Sequence, residues 1–287
     1  MSRIAYVNGR FVPKRQAVVH IEDRGYQLAD AVYEVWALFD GKLADPEGHF
    51  ARLERSLAEL SIAMPMSRAA LTSVLRETVR RNRIREGLAY LQVSRGVAKR
   101  DHAFPTVHTP PAVVVTVSRV DRAATEARAA AGVAVITTPE NRWGRCDIKT
   151  VGLLPNALAK QKAREAGAVE AWFVDELGLV TEGASSNAWI LDREGTLRTR
   201  DTQSNILRGV TRLSLIEVAR EAGLRVDERP FTPKEAIEAR EAFITGAGTL
   251  VLPVVKVDGQ PVGDGKVGPV ATKLRRLYIE RAKATAI

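Results

Sequence analysis

Between Asp121 and Ala131 the chain turns small and polar, mostly alanine with charges, and this stretch separates two runs that each carry strands and helices. That division constrains the fold more than any other feature. It predicts a smaller first domain over residues 1–120, a linker over 121–131 and a larger second domain over 132–287. A chain of 287 residues exceeds what one hydrophobic core usually supports, so two cores are the natural expectation.

In the first run, Met1 to Val12 alternates apolar and polar residues around Asn8-Gly9, the pattern of a hairpin and not of a secretion signal. Ala31 to Phe39 is rich in branched and aromatic residues and turns at Asp40-Gly41, so it reads as a strand. Phe50, Leu53, Leu57 and Leu60 recur at helical spacing over Pro46 to Ile62. Ser67 is placed to cap a second helix reaching Asn82. Leu88 to Val93 and Ala112 to Val120 read as strands, the latter nearly continuous valine and so expected to be buried on both faces. The second run mixes strands at 133–138, 171–174, 188–191, 242–245 and 250–257 with helices near 156–165, 211–222 and 270–283. Both domains read as α+β.

No apolar run approaches the roughly 20 residues needed to cross a bilayer. The single cysteine, Cys146, excludes an internal disulfide framework and fits a reducing cytoplasm. A net charge of +9 raises the question of nucleic acid. The densest basic stretch holds Arg80, Arg81, Arg83 and Arg85 without interleaved aromatics, and a solvated helix face explains it. Nucleic-acid binding is therefore the remote alternative, and neither a membrane nor a metal is expected as a partner.

Four segments are unusual. Asn141 to Lys149 crowds Arg142, Arg145, Lys149, Asp147 and the Trp143 indole between a strand and a helix. Thr181-Glu182-Gly183-Ala184-Ser185-Ser186-Asn187 is a small, polar run after a strand. Leu207-Arg208-Gly209-Val210-Thr211 leads into a helix, whose exposed start is a ready anion site. Thr245-Gly246-Ala247-Gly248-Thr249 follows a strand and permits close backbone approach. Taken singly, each is also an ordinary turn, helix start or patch of surface charge.

Their order is far more specific. Lysine, a TEGxSSN run, a GxTR helix start and a TGxxT loop together resemble the fold type IV pyridoxal-phosphate enzymes. The resemblance runs from Glu22 to the carboxyl terminus and is strongest to the bacterial D-amino acid aminotransferases. Supporting runs are Glu22-Asp23-Arg24-Gly25-Tyr26-Gln27 with Asp30, then Val32-Tyr33-Glu34-Val35, His49 with Arg52-Leu53, Arg95-Gly96, Arg100-Asp101-His102 with Phe104-Pro105, and Leu158-Ala159-Lys160-Gln161.

The resemblance implies a two-domain homodimeric fold with pyridoxal 5'-phosphate at the domain interface. It implies that Lys149 forms the Schiff base with the cofactor and shuttles the proton, its neutral amine favoured by repulsion from Arg142 and Arg145. Glu182 would keep the pyridine nitrogen protonated, Leu207 would pack on the ring, and Arg52, Val210, Thr211, Gly246 and Ala247 would hold the phosphate. Where relatives carry serine and threonine in the late phosphate loop, this chain has Gly246, Ala247 and Gly248, so side-chain donors are lost there. Tyr33, with Arg100 and His102 given by the partner subunit, would trap the substrate carboxylate. The implied reaction moves an amino group between a D-amino acid and a 2-oxo acid, 2-oxoglutarate being the expected acceptor. The alternatives on the same fold are a branched-chain L-amino acid aminotransferase and an aminodeoxychorismate lyase, neither expected to carry the Arg-x-His-x-Phe-Pro pattern.

Overall fold

The computed structural model describes residues 3–203 and 206–287. Two compact units emerge: Met1–Asp121 with Ile148–Gly152 and Thr285–Ile287, and Arg122–Asp147 with Leu153–Ala284. Among the described residues, no helix is long and apolar enough to cross a membrane.

The first unit is built on an antiparallel six-stranded sheet. Its order is Arg10–Pro13, Ile4–Val7, Ala112–Arg119, Gly87–Ser94, Ala31–Phe39 and Lys42–Leu43. The amino-terminal hairpin turns at Asn8 and Gly9, both at positive φ; its Met1 and Ser2 lie outside the described residues. Strand period two divides the sheet's faces. Val32, Trp36, Leu38, Leu91, Val93 and Val115 point into a core shared with the helices Pro46–Glu59 and Arg68–Asn82. Ser67 caps the second helix by accepting from Ala70 N at 3.3 Å. The valine-rich strand is not buried on both faces. Val113, Val115 and Val117 are buried, but Val114 and Thr116 are half-buried, because helices cover one side of an antiparallel sheet only.

The second unit carries a nine-stranded mixed sheet. Its main path runs Val226–Asp227, Leu197–Arg198, Asn187–Leu191, Glu241–Gly246, Leu250–Val257, Val133–Pro139, Glu170–Val174 and Val180–Gly183. Val133–Pro139 and Glu170–Val174 are parallel, so the chain must cross over between them, and the helix Leu154–Glu165 makes that crossover. The expected linker is a helix, Arg122–Ala131, belonging to this unit and burying Ala129. Alanine is the best helix former, and a polar face does not disqualify a helix that docks by one stripe. The run after Leu179 is also more ordered than a turn: Thr181 and Glu182 lie in the buried strand Val180–Gly183.

Candidate active site

Lys149 enters the first unit through its backbone. Strand Ala31–Phe39 pairs along its length with Gly87–Ser94, but on its other side the two-residue strand Lys42–Leu43 reaches only Leu38 and Phe39. The opening residues of the strand therefore have an unpaired edge, which residues 148–152 fill. Tyr33 N donates to Lys149 O at 3.0 Å and Val151 N donates to Ala31 O at 3.1 Å. Lys149 thus groups with the first unit, not with the second domain to which its sequence position assigned it.

This register sets Lys149 beside Tyr33, with Nζ 4.1 Å from the ring centre. Among the described residues the amine makes no hydrogen bond or ion pair. Tyr33 in turn stacks on Tyr90 at 5.6 Å. Burial, with Tyr33 adding to it, pushes the Tyr90 phenol up to about 12, so it stays protonated and donates to Gln92 Oε1 at 2.8 Å. Tyr33, Tyr90 and Gln92 share the sheet face opposite the two helices.

On the helix side of the same strand, Glu34 is fully buried and holds Arg52. The guanidinium donates from Nε and Nη2 to the two carboxylate oxygens, each at 2.7 Å. His49 Nδ1 lies 2.7 Å from Glu34 Oε2. Burial would raise the Glu34 pKa, but the Arg52 charge and the hydrogen bonds from Arg52 and His49 outweigh it and hold the carboxyl down to about 2. Burial lowers that of His49, which leaves the ring neutral and able to donate through Nδ1. Arg52 is thus oriented by a carboxylate that sequence reading did not assign to the site.

Arg100 and His102 lie exposed on the loop that follows strand Gly87–Ser94. Neither side chain has a hydrogen bond or ion pair among the described residues.

In the second unit, Glu182 is buried and gathers donors from three directions. Arg142 Nη1 donates to Oε1 at 2.6 Å, Asn187 Nδ2 to Oε2 at 3.0 Å, and Leu207 N to both oxygens at 3.1 and 3.2 Å. Asn187 also donates to Leu207 O at 3.1 Å, so one amide fixes both the carboxylate and the leucine. Leu207 joins the site through its backbone, a role its apolar side chain did not signal. Arg142 additionally pairs with Glu140, and Arg145 with Asp147. The positive charge expected of the two arginines is therefore offset by neighbouring carboxylates.

The helix Val210–Glu221 begins at Gly209, whose position allows no Cβ: Asn187 Oδ1 already occupies that space. With no side-chain cap, the first N–H groups of the helix lack an intrahelical partner. Val210 and Thr211 are both buried there. The turn from Gly246 to Leu250 connects two antiparallel strands, and the buried Leu250 adopts φ +59°. Thr249 Oγ1 is buried without a hydrogen-bond partner among the described residues and lies 3.3 Å from where a Cβ on Gly246 would sit. This hydroxyl, one residue beyond the Gly246–Gly248 run, is a donor that the loss of side chains in that run did not foretell.

Amino-transferase class IV matches residues 31–257 of the chain. The chain belongs to amino-transferase class IV. It is therefore a pyridoxal-phosphate-dependent aminotransferase. It is 41% identical over 268 residues to the D-alanine aminotransferase of Bacillus licheniformis, covering 93% of each chain. It is 40% identical over 275 residues to that of Listeria monocytogenes serotype 4b (strain F2365), covering 96% of this chain and 94% of the relative. Among solved structures, the T.th. branched-chain amino acid aminotransferase with pyridoxamine 5'-phosphate is similar with a TM-score of 0.88 and 28% identity, covering 98% of this chain and 94% of the other. The branched-chain aminotransferase of Escherichia coli matches in fold, with a TM-score of 0.88 at 23% identity, covering 98% and 95%.

The donors present fit the cofactor of a class IV aminotransferase. The first unit offers a lysine amine with no ion pair among the described residues, the kind of group an aldehyde requires. The second offers a buried, well-held carboxylate and a helix start without a side-chain cap, the kinds of group that suit a pyridine nitrogen and a phosphate.

Proposed function

We propose that this aminotransferase moves the amino group between a D-amino acid and a 2-oxo acid, with 2-oxoglutarate as the acceptor. In this reading Lys149 carries the cofactor, Glu182 faces its ring nitrogen, and Leu207 packs on the ring. Arg52, Val210, Thr211, Gly246 and Ala247 take the phosphate, with Thr249 Oγ1 as a further donor. Bound pyridoxal phosphate supplies the electron sink that tolerates negative charge at the substrate's α-carbon.

The residues do the remaining work. Lys149 Nζ takes the α-proton and redelivers it, a task that suits an amine with no competing ion pair among the described residues. Arg142, Asn187 and the Leu207 N–H all donate to the Glu182 carboxylate, contacts that favour its charged form. Arg52 is a planar donor pre-aimed by Glu34. Tyr33 and the partner subunit's Arg100 and His102 bind the substrate carboxylate in a homodimer.

The observation that carries the D-amino acid reading is the pair Arg100 and His102, a cation and an imidazole two residues apart with no partners among the described residues. The identity of about 40% to D-alanine aminotransferases over nearly the whole chain supports it. A branched-chain L-amino acid aminotransferase is the second reading, favoured by the structural likeness at 28% identity. A panel of D- and L-amino acids offered with 2-oxoglutarate, scored by the chirality of the glutamate formed, decides between them. Turnover of L-leucine or L-valine with none of any D-amino acid would reverse the assignment.

A further inference from the structure

Arg24, Asp30 and Arg95 form a buried cluster that none of the site roles above uses. Asp30 Oδ2 accepts from Arg24 Nε at 2.8 Å and from Arg95 Nε at 2.6 Å, and Asp30 Oδ1 accepts from Arg95 Nη2 at 3.0 Å. The side chains are 2%, 9% and 9% exposed for Arg24, Asp30 and Arg95. Two buried guanidinium groups share one carboxylate, so their remaining N–H groups need acceptors or are left unsatisfied at a cost. Arg95 finds Leu60 O at 2.7 Å and Ser61 O at 3.1 Å. Arg24 finds the loop, donating from Nη1 to Asp101 O at 2.6 Å and from Nη2 to His102 O at 3.4 Å. The Phe104 ring then lies on the Arg95 guanidinium, 3.6 Å from its centre.

The geometry points to Arg24, Asp30, Arg95 and Phe104 as a positioning clamp that presets the loop bearing Arg100 and His102. The clamp never touches substrate. It grips the loop at residues 101, 102 and 104, on both sides of His102 and next to Arg100, and leaves those two side chains without a hydrogen bond or ion pair among the described residues. Holding them in place before substrate arrives removes the ordering cost from binding. The inference rests on the reading of Arg100 and His102 as the carboxylate trap.

A grip on the carboxylate is made alike in ground and transition states, so loosening it moves KM and spares kcat. Phe104→Ala is expected to raise KM for D-alanine about five- to tenfold, the scale of a partly desolvated cation–π contact. Phe104→Tyr, which keeps the ring, is expected to restore the parent value. Arg24→Lys keeps the ion pair with Asp30 but cannot span to the loop carbonyls, and is expected to act like Phe104→Ala. Both variants should speed hydrogen exchange at the amides of residues 101–104 in the holoenzyme without substrate, and leave cofactor absorbance unchanged. On an Arg100→Ala, His102→Ala background neither should raise KM further, because the clamp acts through those two side chains.

Parent KM in Phe104→Ala and Arg24→Lys, beside a raised KM in Arg100→Ala, overturns the clamp and leaves the trap standing. A fall in kcat without a rise in KM, or effects that multiply with the paired Arg100→Ala and His102→Ala changes, also overturns it. An unchanged KM in Arg100→Ala overturns both. Should Arg24→Lys not fold, Phe104→Ala decides, since that ring is exposed and outside the core.

Discussion

Lys149 Nζ sits 4.1 Å from the centre of the Tyr33 ring because the backbones of the two residues are hydrogen-bonded, Tyr33 N to Lys149 O at 3.0 Å. The pairing fixes where the amine emerges, and the amine itself makes no hydrogen bond or ion pair among the described residues.

Lys149→Ala is expected to fold, to lose covalent attachment of the cofactor and to lose nearly all turnover. Borohydride reduction followed by peptide mapping should place the cofactor on Lys149. Lys160, the rival nearest in sequence, is engaged by Val169 O at 2.7 Å and by Glu170 at 3.3 Å. A label found there would sink the assignment.

Glu182→Gln keeps the shape and the Leu207 and Asn187 contacts but removes the charge opposite Arg142. Cofactor should be retained while proton abstraction slows at least about tenfold, the loss expected when a charge-assisted hydrogen bond of roughly 1.5–3 kcal/mol is removed. Single-turnover absorbance traces with D-alanine measure it. Unchanged traces would argue that Glu182 does not contact the ring nitrogen.

Mixing Arg100→Ala protein with Lys149→Ala protein tests donation across subunits, provided subunits exchange. If each Arg100 serves the partner subunit, a mixed dimer contains one site with both lesions and one intact site, and activity reappears. Were Arg100 to serve its own subunit, every site would carry one lesion and activity would stay low at D-amino acid concentrations below the raised KM.

Acid stability should report the Glu34 cluster. The carboxyl is held down to about 2 from 4.5, so its contribution is present above pH 4.5 and is lost as pH falls toward 2. Such a shift corresponds to about 3 kcal/mol at neutral pH. His49 acts in the same direction: its pKa is lowered in the fold, so stability declines as pH drops below its unfolded value of 6.5. Urea unfolding at a series of pH values should therefore show Glu34→Gln losing roughly 3–5 kcal/mol at pH 7. The variant should also have a flatter acid limb than the parent, and parallel limbs would contradict the linkage.

Local chemistry made much of this molecule legible. Ala31–Phe39 and Leu250–Val257 announce themselves by branched residues, and Ser67 by the cap it provides. The helix Arg122–Ala131 was hidden because composition alone does not separate a solvated helix from a polar connector. The order of motifs marked Lys149, Glu182 and the helix start at Val210, but their supports are long-range. No spacing rule brings Glu34 to Arg52, Asn187 to Leu207, or Arg24 to the carbonyls of Asp101 and His102. Each depends on register and packing that exist only after the sheets have formed.

The segment that fills the edge of strand Ala31–Phe39 has a consequence for solubility. A strand edge with unpaired donors and acceptors is a template for another chain, and proteins that leave such edges bare tend to aggregate. Here the cover is supplied by the backbone at Lys149 and Val151, which any non-proline residue could provide. Guarding the edge and the catalysis proposed for Lys149 therefore rest on different atoms of the same residue. Selection can alter the side chain at position 149 without uncapping the sheet, whereas a proline at position 151, which would have no N–H for Ala31 O, would open one end of the covered edge while Tyr33 N still holds Lys149 O.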